Sequence, residues 1–216
     1  MEEQMILKVL RGVGAILTDG HFVYTSVKPE VPGRHGHTYI NKDALYAYPV
    51  QTALLARLIA EEFGGMEIEA VVGAVTGGVI MSQWVAWHLT RMLGNEVLAT
   101  YVDRDTQGGF VMKRGYDLLI RKKRVLIVED VLNSGQTAKA VITAVRAPNV
   151  NANVVGLGAI FNRGNLLPHD FQSVGDISRL FSLVNLPLES WVPEMCPLCA
   201  KGVPINVNVG KGRVTN

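Results

Sequence analysis

Apolar positions along the chain change period several times, and glycine or proline marks nearly every change. Met5, Ile6, Val9, Leu10 and Val13 fall on one face of a helix spanning Glu2 to Leu17. His21 to Ser26 and Thr38 to Asn41 read as short strands, joined by a loop from Val27 to His37 that holds two prolines and two glycines. Asp43 marks an N-cap region, and Val50 to Phe63 is a strong helix ended by Gly64-Gly65. Strands and helices then alternate. The strand Ala70 to Val75 precedes a helix from Gly78 to Leu93, stopped by Gly94. Val97 to Val102 is a strand that opens a polar loop, Asp103 to Gly109, and Phe110 to Arg114 forms a small ribbon arm. Arg124 to Val128 is a buried strand, Gln136 to Arg146 a helix, and Val154 to Phe161 and Leu180 to Val184 are further strands. Such alternation predicts an α/β fold with a central, mostly parallel sheet flanked by helices on both faces.

Three stretches need separate reading. Ala70 to Leu89 is 20 residues without a formal charge, long enough to span a membrane. Gly77-Gly78 in its middle, with Ser82, Gln83 and His88 after it, makes it a strand, a turn and a helix instead. Trp84 and Trp87, on that helix, are expected in the core. From Ser190 onward there is no periodicity, which predicts a tail laid over the surface. The expected organisation is one domain, 1–216: a hood of about 1–45 plus part of the C-terminal segment, a core of about 46–185 and a tail, 190–216.

Composition narrows the class. Hydrophobic residues make up 48% and charged ones 19% of 216, which suits a packed core rather than a disordered chain. Lys and Arg number 21 against 19 Asp and Glu, a net +2 that speaks against non-specific nucleic-acid binding. Neither nucleic acid nor membrane is an expected partner. Two cysteines cannot build a disulfide framework, and no charged-then-apolar leader opens the sequence, so a cytoplasmic location is expected. The balance hides an asymmetry. Between Tyr101 and Arg124 stand seven basic and three acidic residues, a local +4 that leaves −2 for the rest.

That basic strip leads into the most informative run, Arg124 to Thr137, RVLIVEDVLNSGQT. In an open parallel sheet, ligands bind beyond the carboxyl ends of the strands. Glu129-Asp130 at such an end suits hydroxyl groups or a hydrated divalent cation. The turn with Asn133, Ser134 and Gly135, followed by a helix N-terminus, directs backbone N–H groups and hydroxyls to one spot, as a phosphate cradle does.

The whole run closely resembles the phosphoribosyl-pyrophosphate motif of the type I phosphoribosyltransferases: a hydrophobic strand, two acids, two variable residues, then a hydroxyl-rich loop with one glycine. The resemblance implies the fold of that family, with a small N-terminal hood. It gives Glu129 and Asp130 to the ribose 2′ and 3′ hydroxyls, and Asn133, Ser134, Gly135, Gln136 and Thr137 to the 5′-phosphate. Ala74-Val75-Thr76-Gly77-Gly78 occupies the place of the pyrophosphate loop, so Thr76, Gly77 and Gly78 are candidate contacts.

Other stretches look like the orotate phosphoribosyltransferases in particular. HFVYTS and then Gly33 to Asn41 resemble the hood over the base. Asp103 to Gly109 followed by Lys113-Arg114-Gly115 resembles a mobile catalytic loop. Asn162-Arg163 resembles a pair whose Arg meets the orotate carboxylate, and the tail PEMCPLC recurs in one branch. There are departures: Val27 to Pro32 interrupts the hood turn, Arg104 stands for a Lys, Asn133-Ser134-Gly135 for Thr-Thr-Gly, and Asn162 for an Asp. The implied reaction moves the phosphoribosyl group from phosphoribosyl pyrophosphate to a base, with orotate the leading acceptor. Another nucleobase, or a non-catalytic relative that senses phosphoribosyl pyrophosphate, is the alternative.

In that reading, Arg104, Lys113 and Arg114 meet the leaving pyrophosphate, and Asp105 orients those cations or assists proton movement. Arg163, with its planar fork, is the first candidate partner for a carboxylate. Lys42, Tyr39 and Asn133 complete the base pocket. Mg²⁺ is the expected cofactor, bridging the pyrophosphate while keeping several waters, and no side chain is assigned to it directly. A homodimer is implied by the resemblance. Cys196-x-x-Cys199 is half of a zinc-knuckle spacing. No second cysteine pair or nearby histidine pair completes it, so it reads as a turn with two reduced thiols, or as a metal site shared across a dimer. His35 and His37 read as hood contacts to substrate or partner.

Overall fold

The computed structural model describes residues 2–24, 33–106 and 109–209, and the chain divides into two compact units, one of residues 1–6 with 48–186 and one of residues 7–47 with 187–216. Helix α1 (Glu3–Gly12) is followed by two-residue strands: β1 (Ile16–Leu17), β2 (Phe22–Val23), β3 (His35–Gly36) and β4 (Tyr39–Ile40), then by the short helix α2 (Lys42–Tyr46). The apolar face that predicts a helix to Leu17 is broken earlier. Gly14 takes a left-handed φ of 72°, which turns the chain back, and Ile16–Leu17 pair antiparallel with Ile40–Tyr39. A second ladder joins Phe22–Val23 to Gly36–His35. The expected strands here are thus shorter than the sequence pattern suggests, and Ser26 and Val27 to Pro32 lie outside the described residues.

The larger unit begins with α3 (Pro49–Phe63), whose proline occupies the first turn, where its missing N–H has no partner to lose. Then follow β5 (Ala70–Ala74), α4 (Gly77–Leu93), β6 (Leu98–Arg104), β7 (Phe110–Val111), the short α5 (Tyr116–Leu119), β8 (Arg124–Leu132), α6 (Gln136–Arg146), β9 (Asn153–Asn162) and β10 (Arg179–Asn185). These strands form one six-stranded sheet in the order β10-β9-β8-β5-β6-β7. Every pairing is parallel except the last, where Phe110–Val111 run antiparallel to Arg104–Asp103. Helices α3 and α4 pack on one face and α6 on the other, around a core that includes Val72, Val102, Ile127, Val141 and Leu157. Continuous apolar strands covered on both faces are what a buried parallel sheet requires.

The uncharged run 70–89 is indeed strand, turn and helix, and among the described residues no helix is long and apolar enough to cross a membrane. The two tryptophans correct the expectation. Met81, Val85 and Leu89 face inward from α4, so Trp87, on the opposite side, is 49% exposed, and Trp84 is only half-buried. Their rings meet edge-on at 5.9 Å. The C-terminal segment is likewise not a bare surface tail. Trp191 and His35 exchange backbone hydrogen bonds at 2.8 and 2.9 Å, Cys196 is buried, and Pro197–Ala200 form a last helical turn, α7.

Candidate functional site

Strand β8 runs four residues further than its apolar pattern indicates. Glu129, Val131 and Leu132 still pair with Ala159, Phe161 and Asn162 of β9, so the two acids sit within the ladder rather than in the turn after it. Both are buried, Glu129 at 6% and Asp130 at 3% exposure. Two adjacent buried carboxylates are costly to desolvate, and such placement is characteristic of functional sites. Asp130 Oδ1 accepts a hydrogen bond from the Val131 N–H at 2.7 Å. Glu129 lines, with residues 131–138, a cavity of about 60 Å³.

The far wall of this cavity is the start of α6. Gly135 adopts φ 75°, a left-handed turn that opens the helix, and no side chain caps it. The first turn carries no acidic residue. The first N–H groups of α6 therefore remain available to a ligand, and the positive end of the helix dipole adds to their pull on an anion. Asn133, Ser134, Gly135, Gln136 and Thr137 all line the cavity.

The neighbouring strand ends complete the picture. At the end of β9, Asn162 is buried and its carboxamide holds Leu166 at two points: Oδ1 accepts from the Leu166 N–H at 3.0 Å and Nδ2 donates to its carbonyl at 2.9 Å. An aspartate could accept the first bond but not donate the second, which gives this Asn a clear role in shaping the loop. The Arg163 N–H donates to the Leu132 carbonyl at 2.7 Å, fixing its backbone to β8. Gly164 backs directly onto the Asn133 carbonyl, where a Cβ would collide with it. Gly164→Ala should therefore push Asn133 out of place. We expect kcat/KM to fall about tenfold or more, since a misplacement of about 1 Å can cost two orders of magnitude, and Tm to fall with it because the overlap is with backbone. Steady-state kinetics alongside a thermal melt check this.

At the end of β5, Thr76 precedes α4 with Gly77 and Gly78 as its first residues, both buried, and the Val75–Thr76 peptide is cis. Strands β9, β8 and β5 are consecutive in the sheet, so Arg163, the Glu129–Thr137 run and Thr76–Gly78 share one edge of it. The strip at β6 and β7 is organised differently from the sequence reading. Asp105 exchanges hydrogen bonds with Gly109, its backbone N–H at 3.0 Å and its Oδ1 at 2.8 Å, which closes the loop on itself. Asp103 is a carboxylate beside Arg114, at 3.1 Å. Its proximity raises the Arg114 pKa further above the ordinary guanidinium range. Tyr101, two residues back on the same strand face, places its ring 5.7 Å below the same guanidinium. That i, i+2 pattern is the available signal for Asp103. Arg104 stacks over the Phe110 ring at 4.9 Å, and Lys113 follows β7 as an exposed residue. Gln107 and Gly108 lie outside the described residues.

Tyr39 and Lys42 belong to the smaller unit. Tyr39 stacks on Phe22 with ring centroids 5.6 Å apart, and Lys42 is the first residue of α2.

The donor set at the β8 end is suited to magnesium. Two carboxylates and small hydroxyls offer only oxygen, the ligand type a hard divalent cation takes.

Comparison with known proteins agrees with this geometry. Residues 41–172 match the family model of the phosphoribosyl transferase domain. The orotate phosphoribosyltransferase of Thermoanaerobacter sp. (strain X514) is 30% identical over 205 residues, 95% of this chain and 96% of that protein. That of Pelotomaculum thermopropionicum is 32% identical, over 94% of this chain and 95% of that one. The crystal structure of orotate phosphoribosyltransferase from Aeropyrum pernix superposes with a TM-score of 0.63 at 26% identity, covering 84% of this chain and 94% of that one. With its strand-end acids, helix-opening loop and sheet order in place, the chain belongs to the phosphoribosyltransferase family, among the orotate phosphoribosyltransferases.

Proposed function

We propose that this protein transfers the phosphoribosyl group of phosphoribosyl pyrophosphate to orotate, releasing pyrophosphate and forming orotidine 5′-monophosphate, a step of pyrimidine nucleotide synthesis. The observation that carries the reading is the cavity in which Glu129 faces the uncapped N-terminus of α6. It joins a diol-binding acid to an anion cradle, which is the polarity of a ribose 5-phosphate. Asp130, beside Glu129, serves the same diol.

The donor's C1 takes on oxocarbenium character as pyrophosphate departs, so catalysis rests on positioning and on charge stabilisation. Thr76, Gly77 and Gly78 bind the leaving pyrophosphate through the backbone. Arg104, Lys113 and Arg114 neutralise it from the β6–β7 strip, Arg114 held in orientation by Asp103 and Asp105 shaping the loop that carries them. Magnesium, when bound, neutralises pyrophosphate charge, and Glu129 and Asp130 would hold it through water or the ribose oxygens. Arg163 receives the orotate carboxylate, and Asn133 lines the base.

We read the working form as a cytoplasmic homodimer. The exposed apolar side chains of the α3–α4 surface, Val50, Trp87 and Met92 among them, suit burial against a second copy. Light scattering should return twice the chain mass.

The deciding experiment incubates the purified protein with phosphoribosyl pyrophosphate, Mg²⁺ and, in turn, orotate, uracil, adenine and hypoxanthine. Orotate consumption with stoichiometric pyrophosphate release is expected, and turnover of another base in its place would overturn the assignment. Arg163→Ala sharpens the test. Loss of a bidentate, charge-assisted pair worth about 1.5–3 kcal/mol should raise the KM for orotate about 10- to 100-fold while leaving that for phosphoribosyl pyrophosphate nearly unchanged. An unchanged orotate KM would remove Arg163 from the base site.

A further inference from the structure

The two cysteines do not stand alone. In the smaller unit, His21 and His35 are carried to them by folding: His21 directly before β2, His35 within β3, Cys196 just ahead of α7 and Cys199 on it. One nitrogen of each histidine and both sulfurs all lie within 4.8 Å of one another. His21 Nε2 is 2.8 Å from His35 Nδ1, His35 Nδ1 is 3.2 Å from Cys199 Sγ, and His21 Nε2 is 3.7 Å from each sulfur. A tetrahedral zinc ion with Zn–N near 2.0–2.1 Å and Zn–S near 2.3 Å sets its ligand atoms about 3.3–3.8 Å apart. The cluster is close to that spacing. His21 is 2% exposed, His35 7% and Cys196 2%, whereas Cys199 reaches the surface.

The surroundings are those of a ligand set rather than of a chance cluster. His21 Nδ1 lies 2.7 Å from the Val203 carbonyl, a bond that needs the proton on Nδ1 and leaves the Nε2 lone pair facing the sulfurs. Metal-binding histidines are oriented by an outer hydrogen bond of this kind. Backbone bonds surround the cluster: Asn206 N–H to the His21 carbonyl at 2.7 Å, Val203 N–H to Leu198 at 2.9 Å, and the His35–Trp191 pair. An N₂S₂ tetrahedral donor set selects zinc, and four protein ligands leave no open position for substrate. The unit also needs such a link, since it is assembled from two distant stretches and its strands are two residues long.

We infer that His21, His35, Cys196 and Cys199 bind one structural Zn²⁺ ion that ties the C-terminal segment to the N-terminal hairpin. Binding releases the two thiol protons to solvent and forms two Zn–S and two Zn–N bonds, with no change of oxidation state. The site shares no residue with the strand-end acids, and its role is structural.

The experiment is elemental analysis of the full-length protein expressed without a histidine tag. About one zinc per chain is expected, and a content below about 0.2 that does not rise on adding Zn²⁺ overturns the inference. Replacing zinc with Co²⁺ gives a reading that needs no variant. The intense visible bands and sulfur-to-metal charge transfer of a tetrahedral thiolate site are expected, and the faint spectrum of an octahedral ion would overturn the inference. Cys199→Ser, at the exposed ligand, should lose at least nine-tenths of the zinc, while retention at the wild-type level counts against the site. Chelation should lower the wild-type Tm by several degrees, reversibly with Zn²⁺, and leave the Cys199→Ser melt unmoved. Denatured, metal-free protein kept from air should show two titratable thiols per chain; none would mean a Cys196–Cys199 disulfide and overturn the proposal.

Discussion

Glu129→Gln and Asp130→Asn are each expected to lower kcat/KM for phosphoribosyl pyrophosphate by about 30- to 1,000-fold without lowering Tm. Each carboxylate is buried at a strand end. A charge-assisted hydrogen bond to a ribose hydroxyl strengthens as positive charge develops on the ribosyl ring. Its loss at a preorganised site is worth about 2–4 kcal/mol, with each 1.4 kcal/mol a factor of ten. The amides keep the shape. In Asp130→Asn the carboxamide oxygen can still accept the bond that Val131 N–H now gives the Asp130 carboxylate at 2.7 Å. Removing a buried negative charge also relieves a desolvation penalty, so the melt should hold or rise by a few degrees. Steady-state kinetics with the donor varied, together with calorimetry, separates the two effects. Activity within threefold of wild type for both variants would remove the acids from the ribose site.

Gly73→Ala is expected to be the most destabilising single methyl group in the sheet. Gly73 on β5 backs onto the first turn of α4, and a Cβ there would overlap the carbonyl group of Gly78. The approach is mutual: a Cβ on Gly78 would stand 3.0 Å from the Gly73 backbone and 3.3 Å from the Val128 carbonyl. Both neighbours are backbone, so nothing can rotate aside, and the start of α4 must move away from the sheet. Overpacking of this kind costs about 3 kcal/mol or more, which for a chain of this size lowers Tm by about 6 °C at the least. The displaced turn is Thr76–Gly78, so pyrophosphate inhibition should weaken in parallel. A melt within about 2 °C of wild type would mean that strand and helix are not in direct backbone contact. Gly78→Ala, with its longer contacts, should be milder in stability than Gly73→Ala.

These two cases divide what the sequence shows from what it does not. The alternation of apolar runs with glycine turns places most strands and helices of the sheet within a few residues, because in a sheet buried on both faces burial writes itself into local composition. Gln136–Arg146 matches its helix at both ends, and Gly94 stops α4 in the left-handed conformation a C-terminal glycine adopts. The motif from Arg124 to Thr137 is also local. Acids, small loop residues and helix start follow one another in the chain, so the proposed phosphate cradle is readable as a unit.

The errors arise where distance along the chain hides distance in space. Strand β8 continues through Glu129 and Asp130 because β9 supplies partners out to Asn162, and no local pattern announces a neighbour's length. Trp87 looks like core by residue type, but helical phase relative to the sheet puts it in solvent. Chain position points to Asp105 for orienting the cations and gives no sign of Asp103, which strand alternation also puts beside Arg114.

By itself, then, the sequence determined the α/β class, the strand–loop–helix proposed to cradle phosphate and the residue types able to hold a sugar diol, since each depends on neighbours within about a dozen positions. The tertiary structure alone decided the backbone contact between Gly73 and Gly78, the seating of Gly164 on Asn133, and the meeting of His21 and His35 with Cys196 and Cys199. Those two histidines stand far from the cysteines along the chain, with |i−j| of 175 for His21 and Cys196 and 164 for His35 and Cys199. Only the folding of both ends of the chain into one unit brings their nitrogen and sulfur atoms within reach of a single ion.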